Sequence, residues 1–241
     1  IDGKLTKYLS YRSHIWTQTD DDRCGLLPFI HEEGFSFERY VDYLLDVPMY
    51  FVIRNGRYID FSGESFRDFI NKKIKRKNAI EPTIKDWETH LTTVFPEVRL
   101  KSFIELRGAD GGPWSRVCAL PAFWTGILYD EGVLDEVYNF VRMWKFNDIR
   151  NLYDDVRVKG LNSYTPDNES LIDFSKRLID LSSHGLRSRN INDSGKTEDS
   201  FLDPLKKIIK SKRTPAEEWK TLYLNQWSNN IDMLYTSNYF K

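Results

Sequence analysis

Residues 98–107 narrow the possible folds of this chain more than any other segment. Their even positions are mostly apolar and their odd positions mostly charged, a period-two pattern that predicts a β-strand with one face in a core. The next six residues are Gly-Ala-Asp-Gly-Gly-Pro, which predicts a tight turn with unusual backbone angles. The sequence therefore predicts one long strand that ends abruptly after residue 107.

The pattern is mixed before this strand and helical after it. Residues 8–16 alternate as a strand does, and two β-rich arms flank Asn55-Gly56, which predicts a hairpin over 49–61. Helices are expected to begin after capping residues of the Ser or Thr type, some of them followed by proline or by an acidic residue three positions on: Ser36, Thr83, Thr165 and Thr214. This distribution predicts an α+β fold, with mainly antiparallel strands in the first half and a helical second half.

Composition limits the class of protein. The 241 residues include 35 Lys and Arg against 36 Asp and Glu, a net charge of −1, which gives no indication of nucleic acid or a membrane surface as a partner. No apolar run approaches the roughly 20 residues of a membrane span, and we find no secretory leader. Two cysteines, Cys24 and Cys118, are too few for a disulfide scaffold, so a reducing cytoplasm is expected.

Glu105 and Arg107 lie on the same face of the predicted strand, roughly 7 Å apart. At a nucleotide site, such a carboxylate could hold a divalent cation while the guanidinium binds the phosphate that the cation also contacts. The alternative is an exposed sheet face with an ordinary ion pair, worth about 0–1 kcal/mol. The strand taken alone favours this alternative.

Other polar residues allow two interpretations each. Arg12, beside His14 on the polar face of the predicted first strand, could bind a substrate carboxylate bidentately or simply be solvated. The glycine-rich turn could direct N–H groups at an anion, but it lacks the P-loop pattern, which favours a plain turn. The lysine-rich run at 72–77, after a helix expected over 65–74, is interpreted as a solvated helix end. The remaining histidines show no metal-ligand spacing and are interpreted as structural: His31, His90 and His184.

Several of these segments together resemble the plant-type and proteobacterial glutamate–cysteine ligases. The stretch 95–114, which reads FPEVRLKSFIELRGADGGPW, resembles the signature of that family. Further stretches match it in the same order: 12–17, 40–43, 46–51, 86–88, 90–93, 118–124 and 128–131. The resemblance is dense over residues 9–131 and thinner beyond them.

This resemblance implies a function and roles for particular residues. Members of the family use ATP and Mg²⁺ to join the side-chain carboxylate of glutamate to cysteine, through an acyl phosphate, in a glutamine-synthetase-like fold. By resemblance, Glu105 is a metal ligand and Arg107 a catalytic contact to the phosphate. Arg12 would bind the glutamate carboxylate, and Tyr43 and Trp114 would be walls of the substrate pocket.

The length of the chain implies that part of such an enzyme is missing. Family members are about twice as long, so we expect a C-terminal portion that lacks its N-terminal half and is inactive, or nearly so, alone. Residues 1–130 would then be the second half of the catalytic sheet domain, and residues 131–241 a helical region packed on it. Phe61 and Lys77 stand where plant members carry one cysteine pair, and the partner of Cys118 would lie in the missing half. A bacterial, cytoplasmic enzyme is therefore expected rather than a plastid one.

Two other functions remain open at this point. Another γ-glutamyl amine ligase could use the same scaffold, because phosphoryl transfer leaves the acceptor amine unspecified. A non-catalytic binding or regulatory fragment is the other possibility, since unpaired strand edges favour association.

Overall fold

The computed structural model describes residues 1, 4–75, 79–193 and 195–236. It has the mixed α+β character that the sequence predicts, with helices predominating in the second half. The helices are, in chain order, α1 (Tyr11–Trp16), α2 (Phe37–Asp46), α3 (Phe66–Ile70), α4 (Ile84–Leu91), α5 (Trp114–Leu128), α6 (Glu131–Val141), α7 (Phe146–Lys159), α8 (Leu171–Ser188), α9 (Asp203–Ser211), α10 (Pro215–Asn225) and α11 (Met233–Thr236).

The strands form small two-stranded sheets. They are β1 (Cys24–Gly25), β2 (Phe51–Arg54), β3 (Arg57–Asp60), β4 (Phe95–Pro96), β5 (Val98–Leu100), β6 (Ile104–Leu106), β7 (Asn192–Asp193) and β8 (Lys196–Thr197). The pairs β2–β3, β5–β6 and β7–β8 are antiparallel, whereas β1 and β4 pair in parallel. The expectation of mainly antiparallel strands is thus confirmed for the described residues.

The chain divides into two compact units. Unit 1 comprises Ile1–His14 and Ala109–Lys241, and unit 2 comprises Ile15–Gly108. The division expected at residue 130, between a sheet domain and a helical region, concerns the domains of a complete enzyme and stays a prediction. Within the described ranges, no helix combines the length and the apolar character that crossing a membrane requires.

Unit 2 is built on two apolar clusters that α4 joins. Trp87 of α4 packs against both of them. The buried members of the first cluster are Met49, Val52, Phe61, Phe66, Phe69 and Ile74, and those of the second are Leu27, Tyr40, Leu44, Val47 and Val94. The hairpin β2–β3, α2 and α3 are therefore held by side-chain burial rather than by an extended sheet.

The local capping and turn signals of unit 2 are confirmed. Asn55 and Gly56 have φ of 49° and 73°, the positive values that a tight hairpin turn between β2 and β3 requires. The Ser36 side chain accepts a hydrogen bond from the Arg39 backbone, and Thr83 forms a capping box with Asp86. Helix α3 ends at Ile70, earlier than the expected 74, and Arg76 and Lys77 of the basic run lie outside the described residues.

Unit 1 is organised around the crossing of α5 and α8. Ala122, Ile179, Leu186 and Leu202 form its buried apolar cluster. The two helices approach closely because glycines lie at the crossing: a Cβ added to Gly126 or to Gly185 would overlap backbone atoms of the other helix. The helix predicted after Thr214 is α10, with the expected capping box to Glu217.

Two predicted elements of unit 1 differ in the structure. Residues 11–16 are helical, so the strand predicted over 8–16 is wrong, and Arg12 and His14 do not share a strand face. The helix predicted after Thr165 does not start there, because the Thr165 hydroxyl and carbonyl accept hydrogen bonds from Glu169 and Asn168 in a turn. Helix α8 begins instead after Ser170.

The long strand predicted over 98–107 is a hairpin. Strands β5 and β6 pair antiparallel, with Lys101–Phe103 as the connecting turn, where the Lys101 N–H donates to the Phe103 carbonyl at 2.8 Å. The predicted burial of the two faces is wrong at several positions: Val98 and Ile104 are 46% and 59% exposed, whereas Arg99 is 8% exposed. Leu100 keeps its predicted apolar contact, and Arg99 is buried because its guanidinium finds acceptors there.

The glycine-rich segment that follows β6 is not the tight turn predicted for it. None of Gly108, Gly111 and Gly112 has a positive φ, and the segment has no regular secondary structure. Its Asp110 accepts a hydrogen bond from Ser10 Oγ at 2.9 Å, and Ser10 lies just before α1. The segment is therefore an irregular connection tied to the start of α1.

Candidate active site

The hairpin β5–β6 carries a cluster of three charged side chains, Arg99, Glu105 and Arg107, which we call the hairpin cluster. Arg99 and Glu105 are direct partners in the antiparallel register, and Arg99 Nε donates to Glu105 Oε2 at 2.6 Å. Arg107 NH1 donates to the same oxygen at 3.3 Å. Two guanidinium groups thus share one carboxylate oxygen, which leaves the cluster with one net positive charge.

The two arginines differ in how firmly they are held. Arg99 is buried, and its NH1 also donates to the carbonyl of Val94 at 3.0 Å. The Arg107 side chain is 21% exposed, and its guanidinium lies 5.4 Å from the ring centroid of Phe95 and 5.9 Å from that of Trp16. Arg99 is therefore held inside unit 2, whereas Arg107 is partly exposed and lies near two aromatic rings.

The carboxylate of Glu105 is ionised in this environment. The hydrogen bond from Arg99, reinforced by the charge of Arg99 and by the contact with Arg107, lowers the pKa of Glu105 below its ordinary value. A carboxylate that stays charged at neutral pH can hold an arginine, a cation or both.

The Glu105 carboxylate fits one mode of magnesium binding. Both of its hydrogen bonds in the hairpin cluster fall on Oε2, so Oε1 is the oxygen that remains for a cation. Mg²⁺ is commonly bound by one or two carboxylates, with substrate phosphates and water supplying the other ligands. Among the described residues, no group of three or more His, Cys, Asp or Glu is arranged to hold a metal ion. These residues could therefore contribute one ligand to a shared Mg²⁺ but do not form a metal site alone.

Tyr43 lines a different part of unit 2. It borders a cavity of about 320 Å³ whose other walls include Phe29, Arg39 and Asp42. Its hydroxyl donates to the carbonyl of Asp22 at 3.2 Å, and burial raises the pKa of Tyr43 well above its ordinary value. The phenol is therefore neutral and serves as a wall and a hydrogen-bond donor.

The other two predicted site residues belong to unit 1. Arg12 lies in α1, and Trp114 is the first residue of α5, where its side chain is 73% exposed. The hydrogen bond from Ser10 to Asp110 ties the start of α1 to the segment that leads into Trp114. The structure thus brings Glu105 and Arg107 into contact, while the assignment of Arg12, Tyr43 and Trp114 to the same site stays a prediction.

Arg99, Trp16 and Phe95 surround the predicted pair, although none of the three was predicted to belong to the site. Arg99 carried a usable signal, since it lies on the same period-two face as Glu105 and Arg107. No local sequence pattern predicted the two aromatic residues beside Arg107, because Trp16 and Phe95 are far apart in sequence and their ring centroids come within 6.4 Å only in the fold.

Comparison with known proteins decides the family. A sequence model described as glutamate-cysteine ligase family 2 (GCS2) matches residues 1–237. The chain belongs to this family. Its similar curated relatives include glutamate–cysteine ligase A, chloroplastic, of Oryza sativa subsp. indica, with 48% identity over 235 residues, and the chloroplastic enzymes of Solanum lycopersicum and Arabidopsis thaliana, with 47% and 43%.

These matches cover 97% of this chain but only 46% of the rice protein and 44% of the tomato and Arabidopsis proteins. The chain therefore spans about half the length of the family members it matches. The expectation of a bacterial cytoplasmic enzyme is wrong, because these relatives within the glutamate–cysteine ligase family are chloroplastic plant proteins.

Proposed function

We propose that this chain supplies part of an ATP-dependent glutamate–cysteine ligase, the enzyme of the first step of glutathione biosynthesis. The observation that carries the proposal is the hairpin cluster, in which the charges of Arg99 and Arg107 exceed that of Glu105 and one oxygen of Glu105 stays available. Such a cluster suits a phosphate and the cation that accompanies it. Membership of the glutamate–cysteine ligase family supports the substrates, glutamate and cysteine.

The reaction proceeds in two balanced steps. The side-chain carboxylate of glutamate attacks the γ-phosphorus of ATP, the bond to the bridging oxygen breaks, and ADP leaves. The amine of cysteine then attacks the acyl carbon, phosphate leaves with the electron pair of the broken C–O bond, and the amine loses a proton to form the amide. Both steps build charge on phosphoryl oxygens, which positioned cations stabilise.

Individual residues take separate roles in this proposal. Arg107 contacts the transferring phosphoryl group, and Glu105 Oε1 is one ligand of Mg²⁺, which when bound neutralises phosphate charge. Arg12 binds the α-carboxylate of glutamate, a task that suits the planar guanidinium fork. Tyr43 and Trp114 form walls of the substrate pocket.

Further parts of the proposal concern the complete protein. About half the length of the relatives lies outside the matched region, and we assign to that half the remaining metal ligands and the rest of a glutamine-synthetase-like catalytic sheet, N-terminal to this chain. Residues 1–130 would complete that sheet, and residues 131–241 would pack on it. By analogy with the relatives, the enzyme would act in the plastid. One carboxylate holds Mg²⁺–ATP poorly, so the chain alone would be nearly inactive.

An ATP- and Mg²⁺-dependent γ-glutamyl transfer assay tests this function. The chain is assayed alone and with the unmatched part of the rice relative supplied as a second polypeptide, and cysteine and other amines are offered as acceptors. Activity only in the combined sample, with cysteine preferred, is expected. Preference for another amine would contradict cysteine as the acceptor and leave the chain assigned to a different γ-glutamyl amine ligase. A folded, associated pair without activity for any acceptor would contradict the proposal.

A further inference from the structure

We propose that Arg99 is a positioning residue for phosphate binding: it holds Glu105 so that Arg107 can move from that carboxylate to a phosphate. The inference rests on the proposed function, which assigns the phosphate contact to Arg107. It adds a residue that the sequence did not single out, and it explains why two arginines share one carboxylate.

Arg99 is fixed from several sides. Its side chain is 9% exposed, its Nε lies 2.6 Å from Glu105 Oε2, and its NH1 lies 3.0 Å from the Val94 carbonyl. The backbone register places Arg99 directly opposite Glu105. A buried cation with these acceptors has little freedom to reorient, because without them its charge would be buried and unpaired.

Arg107 has the longer contact to the shared oxygen, 3.3 Å, and the more exposed side chain. Its guanidinium lies near two rings, those of Trp16 and Phe95, which are inclined by 50° to each other, so its attraction to an aromatic ring does not depend on the hydrogen bond to Glu105. Of the two arginines, Arg107 is therefore the one that can exchange Glu105 for an incoming anion.

The charge balance of the hairpin cluster makes Arg99 necessary for this exchange. With Arg99 in place, Glu105 Oε2 is already neutralised by the shorter hydrogen bond, so it attracts Arg107 weakly. Without Arg99, Glu105 and Arg107 would form a neutral pair, and a phosphate would have to compete with the full charge of the carboxylate. Arg99 thus acts on phosphate affinity through Glu105 rather than by contact.

A double-mutant cycle tests this mechanism, because the effect of a residue that acts through a partner disappears when the partner is removed. The variants are Arg99→Met, Glu105→Gln and the double variant, each made in the chain combined with the unmatched part of the rice relative. ATP affinity is measured without Mg²⁺ by equilibrium titration, and KM for ATP and for glutamate with Mg²⁺ by steady-state assay.

We expect Arg99→Met to weaken Mg²⁺-free ATP binding by about 10-fold and to raise KM for ATP without changing KM for glutamate. In the Glu105→Gln background, the same substitution is expected to change ATP affinity by less than about 2-fold. Arg99→Lys, which keeps the charge but not the fork, should restore part of the affinity.

Arg54→Met is the matched control. Arg54 is another arginine of unit 2 that pairs with a buried carboxylate, Asp86 at 2.7 Å, but lies outside the hairpin cluster. The Arg54→Met substitution should lower thermal stability and leave ATP affinity unchanged. The comparison then distinguishes a positioning role of Arg99 from general destabilisation of unit 2.

Two outcomes overturn the inference, and they differ from failure of the proposed function. Equal effects of Arg99→Met in both backgrounds, or equal effects of Arg99→Met and Arg54→Met on ATP affinity, would show that Arg99 is merely structural. If the unsubstituted protein neither binds ATP nor forms γ-glutamylcysteine, the proposed function itself fails, and the inference fails with it.

Discussion

Gly126 of α5 and Gly185 of α8 lie in backbone contact, so that a Cβ added to Gly185 would lie 2.9 Å from the carbonyl carbon of Gly126 and overlap its oxygen. The same crossing places Gly126 against the backbone of Ser182, whose hydroxyl donates to the Phe123 carbonyl at 2.8 Å. Two small residues, one on each helix, thus set the distance between the helices that organise unit 1.

Replacing Gly185 with alanine should separate α5 from α8. Alanine has the better helix propensity by about 1 kcal/mol, yet its methyl group has no room, so we expect a net loss of about 3 kcal/mol in the free energy of unfolding. Urea denaturation measures this loss. Gly111→Ala is the control, because nothing lies within 4 Å of the position that its Cβ would take, and its stability should stay within about 0.5 kcal/mol. A neutral Gly185→Ala would mean that the helices are not in contact.

His90 should make unit 2 less stable in mild acid. It is buried against Phe66, its Nε2 lies 2.8 Å from the Leu44 carbonyl, and burial lowers the pKa of His90 below its ordinary value of 6.5. Below pH 6.5, His90 therefore binds a proton in the unfolded chain but stays neutral in the folded chain until a lower pH. The free energy of unfolding should fall with pH, by up to about 1.4 kcal/mol per unit for this one proton.

Urea titrations between about pH 8 and pH 5 measure this dependence. His90→Gln removes the titrating group and should flatten the slope, while the exposed His184→Gln controls for loss of a histidine. An unchanged slope in His90→Gln would show that His90 is not the group responsible.

Short-range signals in the sequence were sufficient to predict several local features of the fold. The capping residues Ser36, Thr83 and Thr214 and the Asn55-Gly56 turn were predicted correctly, because each depends on a few neighbouring residues. The prediction of a helix after Thr165 is wrong because a threonine hydroxyl can accept a backbone hydrogen bond in a turn as well as at the start of a helix.

The error over residues 98–107 has a geometric cause. The pairs across the hairpin, such as Arg99 with Glu105, differ by an even number of positions, so the alternation of side chains continues unbroken through the turn. A single strand and this hairpin therefore have the same period-two pattern. Both arrangements place Glu105 and Arg107 on one face, and for that reason the candidate pair was found although the element was not.

Burial could not be predicted from the same pattern. The core position of Arg99 depends on acceptors near the end of α4, and its partner carbonyl belongs to Val94. Contacts of this kind depend on the fold, and apolar periodicity alone assigns the charged face to solvent.

Asp86 should account for part of the acid sensitivity of unit 2. Its carboxylate is 4% exposed, and although burial alone would raise the pKa of Asp86, hydrogen bonds from Arg54 and Thr83 lower it below its ordinary value of 3.8. A lowered folded pKa gives stability that is present above pH 3.8 and is lost as the pH falls through the folded value.

Asp86→Asn is therefore expected to lower the free energy of unfolding by about 3 kcal/mol at neutral pH. Below pH 3.8, the difference in this free energy between the variant and the unsubstituted protein should become smaller. Asp46→Asn is the control, since its pair with Arg67 is exposed and worth at most about 1 kcal/mol. Equal costs for the two substitutions would contradict the assigned role of Asp86. Chemical denaturation at both pH values supplies the comparison.

Arg12 and Arg107 should affect different substrates if their assigned roles are right. Arg12→Lys keeps the charge but loses the two parallel donors that bind a carboxylate, so KM for glutamate should rise about 10- to 100-fold with little change in KM for ATP. Arg107→Lys should have the opposite pattern, with the larger effect on ATP and on kcat, because the phosphoryl group gains charge in the transition state.

Arg57→Lys is the control for these two substitutions, since Arg57 is exposed in β3 and lies outside both the hairpin cluster and the lining of the cavity beside Tyr43. Steady-state kinetics on the combined polypeptides separates the two roles. If both substitutions raised KM for glutamate alone, Arg107 would belong to the carboxylate site, and the phosphate role of the hairpin cluster would be wrong. If neither changed any constant, the reaction would take place away from both residues.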